Sequence, residues 1–230
     1  MTEPQVGQPN KWQQALDELK AKLLTMGGMA ENAVEQAIRA YCERVPELCK
    51  KVFEDESRIN IAEREIDELA LDLLAMQQPM AVDLRFILAA IKSNADLERV
   101  GDQAVNIAQR VMGLIELPPA ELAADIPHMA GVASEMVRQA LEAFVTADAE
   151  LAQRILERDD EVDRMNQEVF TAMDRTMVAH PELIHQALHT IIIARNLERV
   201  ADHATNIAED VIFWVRGADV RHHFGMSTPR

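Results

Sequence analysis

The sequence is short of the residues that interrupt helices and of the devices that mark most chemistries. Its 230 residues include 8 Gly and 9 Pro, and aromatic side chains make up 4%. Ala, Leu, Ile, Val, Met, Glu and Arg dominate instead, a composition that favours helices. Cys42 and Cys49 are too few and too close for a disulfide framework or a zinc site, and read as helix cysteines of a reducing compartment. The opening stretch MTEPQVGQPNKWQQ lacks a basic segment followed by an apolar one, so no secretion signal is expected. The apolar run TIIIA is far too short to cross a bilayer. Basic charge is also scarce: 23 Lys and Arg against 39 Asp and Glu leave a net charge of −16. Such a chain repels nucleic acid phosphate, which argues against direct DNA or RNA binding. No GxxxxGK[ST], GxGxxG or GxSxG occurs, and the serines number four, Ser57, Ser93, Ser134 and Ser227. Nucleotide-binding loops and serine hydrolase chemistry therefore lack their local devices. A soluble cytoplasmic protein is the expectation.

What is present is amphipathic periodicity. At 48% apolar residues the chain can build a core, and apolar positions recur at i, i+3, i+4 and i+7 between sparse prolines. This spacing predicts helices over 11–44, 46–77, 82–116, 127–148, 149–179 and 182–216. The stretch ELPPAELAADIP reads as a linker, and the tail from 217 to 230 as flexible. A shift of 103 residues lays 26–60 over 129–163 without a gap, matching Met26 with Met129, Gly28 with Gly131 and Gln36 with Gln139. Further on the offset becomes 100, and LERVGDQAVNIA (97–108) meets LERVADHATNIA (197–208). The expected fold is all-α: a duplicated three-helix unit forming two tandem bundles, 11–117 and 120–216.

The polar members of the repeat need their own explanation. At about 100° per residue, Leu97, Val100, Ala104, Ile107, Ala108 and Val111 cluster as a core seam. Glu98, Asp102 and Asn106 fall about 100° to 180° away, on the outward side. An outward face is free to vary, yet Glu98/Glu198, Asp102/Asp202 and Asn106/Asn206 do not differ between the copies. Carboxylates at i and i+4 repel by a few tenths of a kcal/mol, and a cation between them reverses the sign. Their hard oxygens suit Mg, Mn, Ca or Fe, with Zn as a further candidate. One helix gives too few ligands, and the repeat offers a partner helix in each half: Glu56 and Asn60, matched by Asp159 and Asp163. The competing reading of each stripe is a solvated acidic face.

These segments resemble the PhoU family. The matching stretches are DLRFILAAIKSNADLERVGDQAVNIAQRV (83–111) and IIIARNLERVADHATNIAEDVIFWV (191–215), with MGGM near the start and QQPMAVDLRF before the third helix. The resemblance spans roughly 11–216. It implies two tandem three-helix bundles, a homodimer, and surface metal clusters held by E(D)xxxD motifs. Glu98, Asp102, Glu198 and Asp202 are then metal-ligand candidates, with Asp159 and Asp163 as partner motif. Asn60 departs from the pattern where Asp is preferred, which weakens the first-half site. The implied role is non-enzymatic: negative regulation of the phosphate regulon, coupling the ATPase subunit of the phosphate ABC transporter to a sensor histidine kinase, with peripheral attachment to the inner membrane through those partners. The alternative from another class is a metal-dependent helical-bundle hydrolase or oxidase. Its sites would be built inward, whereas these carboxylates point out.

Three further features carry less. His185 and His189 lie at i, i+4, but neither HExxH nor the Glu-x-x-His of di-iron bundles accompanies them. His203 points away from its neighbour Asp202 on the wheel. Arg85 is expected to pair with a local acid or to cap loop carbonyls.

Overall fold

The computed structural model describes residues 11–76 and 79–217. Six α-helices follow one another: α1 Lys11–Glu43, α2 Pro46–Met76, α3 Ala81–Glu116, α4 Ile126–Thr146, α5 Ala149–Ala179 and α6 Ile184–Arg216. No strand interrupts them among the described residues. The all-α expectation and the helix order hold, and the boundaries differ where local chemistry intervenes. Arg44 takes left-handed φ of 54° and Ala147 φ of 57°, so α1 and α4 end in equivalent αL caps. Ala147 hands over directly to Asp148, whose carboxylate accepts from the Glu150 and Leu151 amides and starts α5. The last helix begins at Ile184 rather than 182, because Pro181–Leu183 forms a 3₁₀ turn. Gln77 and the tail beyond Gly217 lie outside the described residues.

Within each half the three helices pack on one another: α1, α2 and α3 in the first, α4, α5 and α6 in the second. The halves join through α3 against α6 and α1 against α4, while α2 and α5 touch only helices of their own half. The molecule is therefore broad, with α1 and α4 on one face, α3 and α6 on the other, and α2 and α5 at the edges. One continuous cluster of buried apolar side chains runs through both halves. The predicted seam lies at its centre: Leu97, Val100, Ala104, Ile107, Ala108 and Val111 are fully buried, as are Leu197, Val200, Ala204, Ile207, Ala208 and Val211.

Polar contacts fix α3 and α6 as antiparallel neighbours. Lys92 Nζ reaches Asp210 Oδ1 at 3.0 Å, His203 Nδ1 lies 2.9 Å from Asp96 Oδ1, and Arg85 Nε donates to the Trp214 carbonyl at 3.3 Å. Arg85 thus caps the last turn of α6 at a distant helix carbonyl, and not the local acid or loop carbonyl expected. Arg44 does the same for α3, with Nη2 donating to the carbonyls of Leu114, Ile115 and Leu117 at 2.6–3.1 Å. Leu114 and Ile115 lie in the last turn, where carbonyls run out of helix partners, and Leu117 is the C-cap, whose amide also donates to the Leu114 carbonyl at 3.2 Å.

Two adjacent glycines of α1 separate packing from propensity. A Cβ on Gly27 would sit 2.1 Å from Leu141 Cδ1, whereas one on Gly28 meets nothing within 4 Å. Glycine inside a helix costs about 1 kcal/mol relative to alanine, and overpacking a core costs about 1–3 kcal/mol. Gly28→Ala is accordingly expected to raise the urea unfolding free energy by about 0.5–1 kcal/mol, and Gly27→Ala to lower it. Equal effects at the two positions would show that α1 and α4 do not approach as described.

Candidate functional site

The outward carboxylates collect in two grooves, one between α2 and α3 and one between α5 and α6. In the second groove Asp159 and Asp163 on α5 face Glu198 and Asp202 on α6, and Asn166 Nδ2 donates to Glu198 Oε2 at 3.2 Å. Both helices leave these positions at the groove because Val162 and Val169 of α5 and Leu197, Val200 and Ala201 of α6 are drawn into the core. Burial raises the Asp159 carboxyl from 3.8 to about 6, aided by the charges of Asp202, Asp163, Asp160 and Glu198. Glu198 is raised by burial and by Asp202, with Arg195 opposing. Asp202 is raised by burial and by Asp163, against His203, Arg199 and Arg195. Burial and like charges together thus outweigh the arginines that flank these groups.

The first groove has the same character with different letters. Glu98 is raised by burial, then by Asp102, Glu63 and Glu56, with Arg99 opposing. Pairing Glu56 with Asn60 by spacing alone overlooks Glu63. The repeat contains the signal: Asn60 and Glu63 stand over Asp163 and Asn166 at the same offset of 103. Acid and amide have exchanged places one turn apart on the same helix face. Each groove therefore holds two carboxylates from its edge helix and two from its central helix, Glu56, Glu63, Glu98 and Asp102 in one and Asp159, Asp163, Glu198 and Asp202 in the other. The first groove thus keeps four carboxylates despite Asn60, and Glu98 is raised there, against Asp159, Glu198 and Asp202 in the second.

Other predicted residues go elsewhere. Asn206 Nδ2 donates to Asp96 Oδ1 at 3.1 Å, across the α3–α6 joint and away from the α5 carboxylates. Asp96, almost wholly buried, also receives His203 and lies 3.8 Å from Arg99. Asn106 and Asn60 are half-buried on the predicted stripes. The ring of His189 packs against Gly113, where an added Cβ would lie 2.6 Å from Cε1. Burial and the nearby Arg110 lower its pKa. His185 is exposed beside it.

Carboxylate oxygens in two facing pairs suit a hard cation. Their placement is looser than a coordination sphere: among the described residues no three His, Cys, Asp or Glu side chains converge closely enough to hold one ion. No helix of the described residues is long and apolar enough to cross a membrane.

The electrostatics of the second groove carry a sign. The folded chain holds the Asp159 proton more tightly than the unfolded chain, so between about pH 4 and 6 unfolding releases a proton and stability falls as pH rises. Asp159→Asn should raise the melting temperature at about pH 8, and the gain should shrink toward about pH 4. Scanning calorimetry of both proteins across that range checks this, and a gain independent of pH would contradict it.

Known proteins share this architecture. The PhoU domain matches residues 23–111 and 126–211, one copy in each half. The phosphate-specific transport system accessory protein PhoU homolog of Pseudomonas aeruginosa is 39% identical over 208 residues, 90% of this chain and 86% of that protein. The crystal structure of PhoU from Pseudomonas aeruginosa superposes with a TM-score of 0.85 at 37% identity, over 90% of this chain and 100% of that one. The phosphate transport system regulatory protein PhoU from Streptococcus pneumoniae gives a TM-score of 0.84 at 26% identity, over 91% of this chain and 99% of that one. With the domain repeated along both halves and a relative of this identity spanning nearly the whole chain, the protein belongs to the PhoU family.

Proposed function

We propose that this chain is a non-enzymatic regulator of phosphate uptake. It works at the cytoplasmic face as a homodimer, couples the ATPase subunit of a phosphate ABC transporter to a sensor histidine kinase, and restrains the phosphate-starvation response while phosphate is plentiful. The observation that carries the reading is the pair of outward acidic grooves on a chain whose relatives are named accessory and regulatory proteins of phosphate transport. Such a protein acts by binding one conformation of a partner better than another, and its leverage is limited to that difference in affinity. The hydrolase or oxidase alternative lacks support, because the carboxylates line open grooves and not a dry inward pocket.

The grooves also favour a cation. Crowded carboxylates whose pKa values are raised by burial and then by one another gain when a positive charge enters, and a hard divalent ion or iron is the chemistry their oxygens fit. Glu56, Glu63, Glu98 and Asp102 would hold it in one groove, and Asp159, Asp163, Glu198 and Asp202 in the other, after side-chain rotation draws the facing pairs together.

Two experiments test these statements separately. Deletion of the gene should switch on a phosphate-starvation reporter in phosphate-rich medium; a silent reporter would sink the regulatory reading. Protein purified without chelator should contain metal at a defined ratio, and the folded variant with Glu98, Asp102, Glu198 and Asp202 changed to Ala should lose it. Metal-free wild-type protein that Mg, Mn, Ca, Fe or Zn leaves unchanged in melting temperature would remove the cation and keep the acidic grooves for a basic partner.

A further inference from the structure

The antiparallel contact of α3 with α6 has two ends, and the repeat makes them copies of each other. Arg85 with Trp214, Lys92 with Asp210, Asp96 with Asn206 and Gly113 with His189 set the register. At one end Lys92 and Arg99 line a pocket with Asp96, Glu209 and Asp210, two cations against three carboxylates. At the other end the matching positions, offset by 100, read differently. Asn196 stands for Asp96, Gln109 for Glu209, Arg110 for Asp210 and Arg195 for Ala95, while Arg199 matches Arg99. Ile192 in place of Lys92 removes one cation, and the other four changes each add positive charge or remove negative charge. These positions therefore hold three arginines and no carboxylate.

Arg110, Arg195, Arg199 and Gln109 are exposed, so fit inside the chain does not choose them. In the register above Asn106 stands level with Arg195, and the three arginines span about 12 Å along the joint at about 1.5 Å per residue. Arg110 is near enough to His189 of α6 to add, after burial, to the lowering of that ring's pKa. Among the described residues none of the three arginines forms an ion pair or a side-chain hydrogen bond, whereas Arg99 lies 3.8 Å from Asp96. Arg195 and Arg199 act at longer range on Glu198 and Asp202 of the second groove. A cation in that groove takes over those carboxylates and leaves the arginines unneutralised.

Guanidinium groups bind oxyanions through paired N–H donors, and side-chain amides add further donors. An extended polyanion responds to the whole chain, whose net charge of −16 repels it. A small anion responds to the field within about 8–10 Å, the screening length in physiological salt. We propose that this end of the α3–α6 joint binds inorganic phosphate, held by Arg110, Arg195 and Arg199 with the amides of Asn106 and Gln109 beside them. The oxyanion class follows from the arginines. The choice of phosphate rests on the regulatory reading above and gives it a direct input: the chain itself registers the anion whose uptake it regulates.

The test titrates the full chain into inorganic phosphate and follows the phosphorus NMR line width, with sulfate as competitor. Saturable broadening with one site per chain is expected. Sulfate should compete more weakly, because phosphate keeps a proton at neutral pH that an amide oxygen accepts. Gln109→Glu with Arg110→Asp gives this end the residues of the other end at two exposed positions, and should weaken phosphate at least about tenfold. Arg195→Ala, again the residue of the other copy, takes its place should the double variant fail to fold, with the same loss expected. Arg138→Asp, exposed on α4, reverses a charge on the opposite broad face and should leave the affinity within about twofold. Wild-type protein without saturable broadening, or binding indifferent to the changes at the joint, would overturn the proposal and leave the regulatory reading to its own reporter test. Equal competition by sulfate would overturn phosphate as the ligand. Sedimentation with phosphatidylcholine vesicles carrying phosphatidic acid, lost in the double variant, would assign the site to a lipid headgroup and overturn the free anion. A silent phosphate-starvation reporter beside intact phosphate binding would remove the regulatory reading and keep the site.

Discussion

The antiparallel packing of α3 on α6 is the contact on which the rest of the molecule depends. Both helices carry the same buried seam, and both must cover it with a neighbour from their own half and with each other. Once α1, α2 and α6 surround α3, a single stripe remains open, and the repeat places the same stripe open on α6. The joint is not wholly apolar. Asp96 accepts from Asn206 and lies beside His203, and Lys92 meets the buried Asp210. Buried polar groups of this kind are costly when one partner is lost, so they fix the register of the two helices more firmly than alanine and leucine contacts would.

The joint also shows where the duplication has diverged. At the position matching His203 stands Gln103, whose buried Oε1 has no hydrogen-bond partner, and Asn196 replaces Asp96 and donates to its own helix at the Ile192 carbonyl. The two ends of the α3–α6 contact are therefore unequal, one ionic and one neutral. The grooves have diverged less in charge than in sequence: the first exchanges acid and amide between Asn60 and Glu63 yet keeps four carboxylates. A surface kept for a ligand or a partner constrains the total field more than the identity at each position, whereas a joint inside one chain needs only mutual fit.

The grooves are built from residues that a helical protein would otherwise avoid placing together. Four carboxylates share each one, and burial together with mutual repulsion moves Asp159 close to neutrality. Apolar side chains stand exposed along the same stripes. Both features oppose the folding of an isolated chain, and a cationic occupant relieves the first. Sites of function are where local rules of stability are broken.

Periodicity and internal repetition by themselves determine a great deal of this protein. The six helices, the buried seams of α3 and α6, and the outward place of Glu98, Asp102, Glu198 and Asp202 follow from a spacing of about 3.6 residues, because a helix face is a local property of the chain. Caps shift the ends by a residue or two, as at Arg44, Ala147 and Pro181, where single backbone angles decide. What the sequence could not supply is which faces meet. That Asn206 turns to Asp96 across the joint and that Glu63 joins the field of Glu98 both depend on the rotation of one helix against another. That rotation is set by contacts between residues far apart in the chain, as where Asn94 donates to the Glu63 carbonyl and Arg85 to the Trp214 carbonyl, and the tertiary structure alone decides it.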